Sequence, residues 1–96
     1  MAQRTIRKEM GITHPEFYRL IGIGLGFDEY ERTIAGVKWS RGGQCGEIKL
    51  GPEGKRQIAL LALPRTEVTI ELDGYDDAAA ETMLHLFDRA FQRGGG

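Results

Sequence analysis

The 96-residue sequence predicts an α+β fold, in which two helices cover one face of a four- or five-stranded, mainly antiparallel sheet. Three observations support this prediction. Residues 67–72 alternate strictly between polar and apolar, which is typical of a strand with one face on a core. Residues 58–63 are entirely apolar, as in a strand that is covered on both faces. Apolar residues recur at helical spacing after residue 13 and again after residue 77.

The first strand and the first helix are predicted to follow one another directly. Residues 4–12 alternate well enough for a strand. Thr13 and Glu16 then form a capping box, in which each side chain accepts a hydrogen bond from the other residue's backbone amide. Pro15 lies in the first turn, where its missing N–H costs nothing. We expect the three glycines within residues 22–26 to end this helix.

Four consecutive strands with short turns are predicted in the middle of the chain, as an antiparallel meander. Their ranges are 30–39, 45–50, 58–63 and 67–72. Glycine and proline mark turns at 40–43, 51–54 and 64–65. We expect the 58–63 strand to lie at the hydrophobic centre of the fold. Because little chain is left to cover its second face, a homodimer or a ligand-lined cavity is expected there.

The last element is predicted to be a helix over 78–91, after an aspartate-rich turn at 73–77 that supplies its cap. The element order is therefore β-α-β-β-β-β-α. We expect one domain over residues 1–93, followed by a disordered glycine tail at 94–96.

Composition and motif content argue against several classes of protein. The only cysteine, Cys45, has no partner for an internal disulfide, so a reducing cytoplasm is the expected location. No apolar run approaches the ~20 residues of a membrane span, and residues 1–10 lack the apolar core of a signal peptide, so no membrane contact is expected. The histidines and the cysteine lack the short spacing of a metal site, and no phosphate-binding glycine pattern occurs. We therefore expect neither a metal nor a cofactor.

Charge is divided unevenly along the chain. Residues 1–65 carry eleven Lys and Arg against seven Asp and Glu, whereas residues 66–96 carry two against seven. Such a division supports head-to-tail self-association, or one basic and one acidic patch, unless the fold interleaves the two halves.

Four residues are candidates for ligand binding. Alternation places Lys8, with Arg4, on the face of the first strand that should point inward. An inward lysine must be paired, reach an edge, or line a cavity where it meets an anion. Trp39 lies in the same predicted sheet as Lys8 and Arg4. His14 lies at a helix N-terminus, where the helix dipole disfavours the imidazolium and would suit a neutral base.

The sequence leaves three functions open and assigns no catalytic residue. The first is a small, non-catalytic cytoplasmic accessory protein, expected to be a homodimer, that binds a protein partner or a small anionic ligand on its sheet face. The second is an acid–base enzyme with a cavity around Lys8 and one of His14, His85 or Cys45. The third is RNA binding by basic and aromatic residues of the sheet, although the dispersed charges do not favour a nucleic-acid partner.

Overall fold

Five antiparallel strands form one sheet in the computed structural model, which describes residues 3–95 apart from the side chains of residues 56, 58 and 92–95. The elements in chain order are β1 (Gln3–Met10), α1 (His14–Leu25), β2 (Glu31–Thr33), β3 (Gly36–Arg41), β4 (Gln44–Ile58), β5 (Leu61–Asp73) and α2 (Asp77–Gly95). The strands lie in the order β1-β5-β4-β3-β2, so the first strand lies beside the last. The predicted α+β fold and its order of elements are confirmed.

The capping box at the start of α1 is formed as predicted. The Thr13 hydroxyl accepts a hydrogen bond from the Glu16 backbone N–H at 3.3 Å, and the Glu16 carboxylate accepts one from the Thr13 N–H at 3.3 Å. The flanking Ile12 and Phe17 are both buried, which fixes the angle at which the chain enters the helix.

The three glycines of α1 differ in role, and the prediction that all of them end the helix is wrong. Only Gly26 does so: its φ of 79° is left-handed, and its N–H donates to the Gly22 carbonyl at 3.0 Å. Gly22 and Gly24 lie inside the helix. A Cβ on Gly24 would lie 3.3 Å from the Phe91 ring and 3.5 Å from the Phe87 ring, so this glycine allows α1 and α2 to approach closely.

One hydrophobic core lies between the helices and the sheet. Its largest fully buried apolar side chains are Phe17, Phe87, Ile12, Ile21, Ile48, Ile70, Leu72, Val37 and Val68. The polar atoms within it are paired: the Trp39 indole N–H donates to the Tyr75 hydroxyl at 2.9 Å, and the Thr66 hydroxyl donates to the Ile12 carbonyl at 2.7 Å. Among the described residues, no buried side-chain nitrogen or oxygen lacks a partner, as a stable core requires.

The middle of the chain has the predicted number of strands, but the strands begin and end at different residues from those predicted. The predicted strand 30–39 is a hairpin of two strands, β2 and β3. The predicted turns at 51–54 and 64–65 lie within β4 and β5, which form one long hairpin that turns at Ala59 and Leu60. The register shifts between Leu50 and Glu53, so the glycine and proline at 51–52 mark a β-bulge rather than a turn.

The far end of this hairpin projects beyond the sheet. β1 pairs with β5 only as far as Thr66, and β3 pairs with β4 only over residues 44–49. Residues 53–65 therefore form a two-stranded ribbon, which we call the arm. From Glu53 to the turn at Ala59 and Leu60, the arm is roughly 20 Å long at 3.3 Å per residue, in a molecule measuring 47 × 25 × 20 Å.

The predicted central strand at 58–63 is the tip of the arm. Leu60, Leu61 and Leu63 are 97%, 64% and 44% exposed. The expectation that this segment lies at the hydrophobic centre is therefore wrong. Its sequence is apolar on both faces, yet in the described part of the chain neither face is covered.

α2 begins with the predicted cap, since the Asp76 carboxylate accepts a hydrogen bond from the Ala79 N–H at 2.7 Å. The predicted apolar stripe of this helix packs on the core, except for Leu86, which remains 39% exposed. The glycine tail predicted at 94–96 reaches beyond the described residues, and its disorder stays a prediction. No described helix combines the length and apolarity needed to cross a membrane.

Candidate functional site

Arg4 and Lys8 lie on the face of the sheet that the helices cover. The Arg4 guanidinium pairs with the Asp77 carboxylate, and the Lys8 ammonium pairs with the Asp88 carboxylate. Of the three environments expected for an inward lysine, the structure shows the paired one. These two ion pairs join β1 to α2 near the start and the end of the strand, and both cations already have an anionic partner within the chain.

Trp39 and His14 also make structural contacts within the chain. Trp39 is buried, with its indole N–H on Tyr75. The His14 imidazole Nε2 lies 2.8 Å from the Gly51 carbonyl oxygen, and the His14 backbone N–H donates to the Glu53 carboxylate at 2.5 Å. The N-terminus of α1 is thereby fixed to the base of the arm. The four candidate ligand-binding residues do not converge on one cavity.

The groups proposed for acid–base chemistry also lie apart. The Cys45 thiol is exposed and lies 3.4 Å from the Ser40 hydroxyl. His14 contacts Gly51, six positions further along β4, which is roughly 20 Å away at the rise of a strand. His85 lies on the outer side of α2. Among the described residues, no group of three or more His, Cys, Asp or Glu side chains could hold a metal ion.

The face of the sheet away from the helices, the open face, has an excess of acidic residues. Outside the arm, by alternation and register, it carries three basic and six acidic residues: Arg7, Lys38, Lys49, Glu9, Glu31, Glu47, Glu67, Glu71 and Asp73. The Glu71 carboxylate lies 3.0 Å from the Lys49 ammonium and raises the pKa of that ammonium by hydrogen bonding and by its charge. Tyr18, Tyr30 and Trp39 pack against the core instead. This arrangement does not favour RNA binding, which requires basic side chains and aromatic rings together on one exposed surface of the protein.

The arm is the surface that sequence reasoning missed. Residues 53–65 carry three Lys and Arg against one Glu, with the exposed leucines at the tip. Register places Leu61, Leu63 and Arg65 on one side of the ribbon, and Arg65 pairs at its base with Glu9 at 2.8 Å. A two-stranded ribbon alone is marginally stable in water, and exposed apolar strand tips invite association. The shortage of chain to cover residues 58–63 was the sequence signal that could have found it.

A second concave surface lies on α2 and is called the α2 groove. Its lining residues are Glu81, Thr82, His85, Leu86, Asp88 and Arg89. Leu86 is the apolar side chain of the groove, and it reaches to Gly26 at the end of α1. Ile23 lies in α1, one helical turn before Gly26, and is 62% exposed. The groove therefore combines two carboxylates, of which Asp88 is paired with Lys8, with one exposed apolar side chain, Leu86.

Comparison with known proteins gives no family: no protein-family model, no curated protein and no solved structure matches the chain. Function must therefore be inferred from the surface chemistry of the molecule itself.

Proposed function

We propose that this protein is a non-catalytic accessory protein that binds another polypeptide through the arm. The observation that carries the proposal is the position of three exposed leucines at the far end of a ribbon. Soluble proteins rarely expose clustered apolar side chains unless these make contact with a partner.

The size of the apolar tip limits what the arm does alone. The exposed fractions of Leu60, Leu61 and Leu63 together equal about two fully exposed leucines. Burying that much side chain is worth about 4 kcal/mol, which corresponds to roughly millimolar affinity before the cost of association. The partner must therefore add contacts to the rest of the arm or to the body of the protein.

The remaining arm residues indicate the chemistry of such a partner. Lys55 is exposed on the arm, and the arm as a whole has more basic than acidic residues. Pro52 and Pro64 interrupt the two strand edges near the base of the arm, which discourages the addition of a further strand there. The best match is a protein surface with an apolar groove bordered by carboxylates.

The other functions have less support. An anionic ligand at Arg4 and Lys8 would have to displace the carboxylates of Asp77 and Asp88. An acid–base enzyme needs at least two reactive groups within reach of one point, whereas Cys45 lies roughly 20 Å along β4 from Gly51, the residue that the His14 imidazole contacts. The exposed Cys45 thiol fits a reducing compartment, so a cytoplasmic location is part of the proposal.

Site-specific photo-crosslinking in the native cell tests this function. The photoreactive residue p-benzoylphenylalanine replaces Leu61 in one variant and Ile34 in the control, because Ile34 is also exposed but lies in the β2–β3 turn. We expect a discrete polypeptide adduct from position 61 and none from position 34.

The captured polypeptide is then purified and its affinity measured. Leu60→Asn with Leu61→Asn should weaken binding by about tenfold or more, since apolar burial is lost, whereas Ile34→Asn should leave it unchanged. No adduct at position 61, or equal loss of affinity in both variants, would contradict the proposal.

A further inference from the structure

We infer that an acidic concave surface, at the end of the sheet away from the arm, binds lysine and arginine side chains of the arm's partner. The inference rests on the proposed function, because it supplies the second contact that the small apolar tip requires. We call this surface the acidic basin. It consists of two adjoining concavities of about 650 and 300 Å³, which share Lys38 and Trp39 in their linings.

Six carboxylates line the acidic basin, and three of them have no base beside them. The paired ones form the ion pairs Glu31–Lys38 at 3.7 Å, Glu29–Arg41 at 3.6 Å and Glu71–Lys49 at 3.0 Å. Among the described side chains, no base lies within ion-pair distance of Asp28, Glu47 or Asp73. The basin therefore keeps an excess of negative charge after all of its internal pairs are counted.

Like charges also face one another within the sheet at this end. Glu47 lies directly opposite Glu71 in the β4–β5 register, and Asp73 is the diagonal neighbour of Glu47. Like charges in these positions destabilise a sheet, and Lys49 makes its hydrogen bond to Glu71. A cationic side chain between Glu47 and Asp73 relieves the repulsion, because diagonal neighbours lie roughly 7 Å apart and a guanidinium donates in several directions.

The spacing of the carboxylates favours several separate cations over a single ion. In the described part of the chain, no group of three or more His, Cys, Asp or Glu side chains could hold a metal ion. The negative charge repels a nucleic acid. Tyr30 and Trp39 add aromatic rings to the lining, and a guanidinium stacks well on such rings. Lysine and arginine side chains spaced along a polypeptide meet these requirements.

The leucines of the arm lie on the same side of β5 as the acidic basin. The bulge lies in β4, so β5 alternates without interruption and its odd-numbered residues from Leu61 to Asp73 share one side. Leu63 and Glu71 are eight residues apart, which is roughly 26 Å at the rise of a strand. One polypeptide along the open face therefore reaches both contacts. Lys55 lies on the other side of the ribbon, where the carboxylates proposed for the partner's groove would meet it.

A fluorescence titration with a synthetic peptide tests the acidic basin without the natural partner. The probe is an eight-residue peptide of alternating arginine and threonine. Trp39, the single tryptophan of the chain, lines both concavities and reports their occupation. At low salt we expect a saturable change in Trp39 emission, which is lost at high salt.

Charge-neutral variants locate the contact. Glu47→Gln with Asp73→Asn should weaken peptide binding about tenfold, or about threefold for each carboxylate lost. The matched control is Glu67→Gln with Glu81→Gln, which removes the same charge outside the basin and should leave the affinity unchanged. An unchanged Trp39 emission up to about 1 mM peptide would overturn the inference. Equal losses in both double variants would also overturn it, since they would reflect net charge alone. Spermine that binds more tightly than the peptide would do the same, because the basin would then select a small polyamine.

The polypeptide captured through position 61 separates this inference from the proposed function. We expect Glu47→Gln with Asp73→Asn to weaken the binding of that polypeptide about tenfold. An unchanged affinity would overturn the inference and leave the proposed function standing. No adduct from position 61 would contradict the proposed function, and a saturable peptide titration would then leave the acidic basin as a binding surface of its own.

Discussion

Shortening leucines at the arm tip and shortening a core leucine of the same strand should affect folding stability very differently. Leu72 lies in β5 and is 1% exposed, so Leu72→Ala removes a fully buried side chain. Such changes cost about 2–5 kcal/mol of the free energy of unfolding. Leu60 and Leu61 are 97% and 64% exposed. The double change Leu60→Ala with Leu61→Ala should therefore cost less than about 1 kcal/mol.

The assay is urea unfolding followed by circular dichroism, at a protein concentration of a few micromolar or below, where association contributes little. Leu72→Ala serves as the internal standard for a buried leucine. A loss of about 2 kcal/mol or more in the double tip variant would refute the reasoning, because it would mean that these leucines are buried within their own chain.

Three further substitutions test the packing and pairing of the body. Gly46→Ala places a Cβ 2.1 Å from the Trp39 ring; the displaced ring should cost about 1–3 kcal/mol and shift the indole fluorescence, whereas an unchanged spectrum would contradict the close approach. Thr66→Val removes a buried hydroxyl that donates to a backbone carbonyl at 2.7 Å and should cost about 1–2 kcal/mol in urea unfolding, and a neutral result would be inconsistent with that bond. Lys8→Met should cost less than about 1 kcal/mol and lose its effect in high salt, because it removes the partly exposed pair with Asp88; a salt-independent loss would indicate a packing role instead.

The features that the sequence predicted correctly depend on residues close together in the chain. The capping box at 13–16 is complete within four positions. The turn between β3 and β4 uses Gly42 and Gly43, both with positive φ, as two adjacent glycines in a hairpin suggest. The alternation in β5 identified its buried side correctly at Val68, Ile70 and Leu72.

The errors arose where distant parts of the chain decide the outcome. The predicted order of elements was right because two errors compensated: the predicted strand 30–39 is two strands, β2 and β3, whereas the predicted strand 58–63 is a hairpin tip whose last residues belong to β5. An apolar segment does not state whether it is covered, and glycine with proline at 51–52 suits a bulge as well as a turn. Ala59, in a left-handed conformation with φ of 55°, gives no turn signal of its own.

The candidate site shows the same division between local and distant information. Alternation predicted that Arg4 and Lys8 point inward. Their partners Asp77 and Asp88 are 73 and 80 positions away, and no local pattern identifies them. Local sequence therefore located the side chains correctly but could not show that the fold had already paired them.

The most direct test of the arm is the reactivity of a thiol at its tip. Leu60→Cys in a Cys45→Ser background leaves one cysteine, and its rate with a disulfide reagent reports its exposure. In dilute protein the rate should match that of a short unstructured peptide, and it should fall several-fold when a partner covers the arm. A rate about a hundredfold below the peptide in dilute protein would show a tip buried within its own chain, and it would contradict the account.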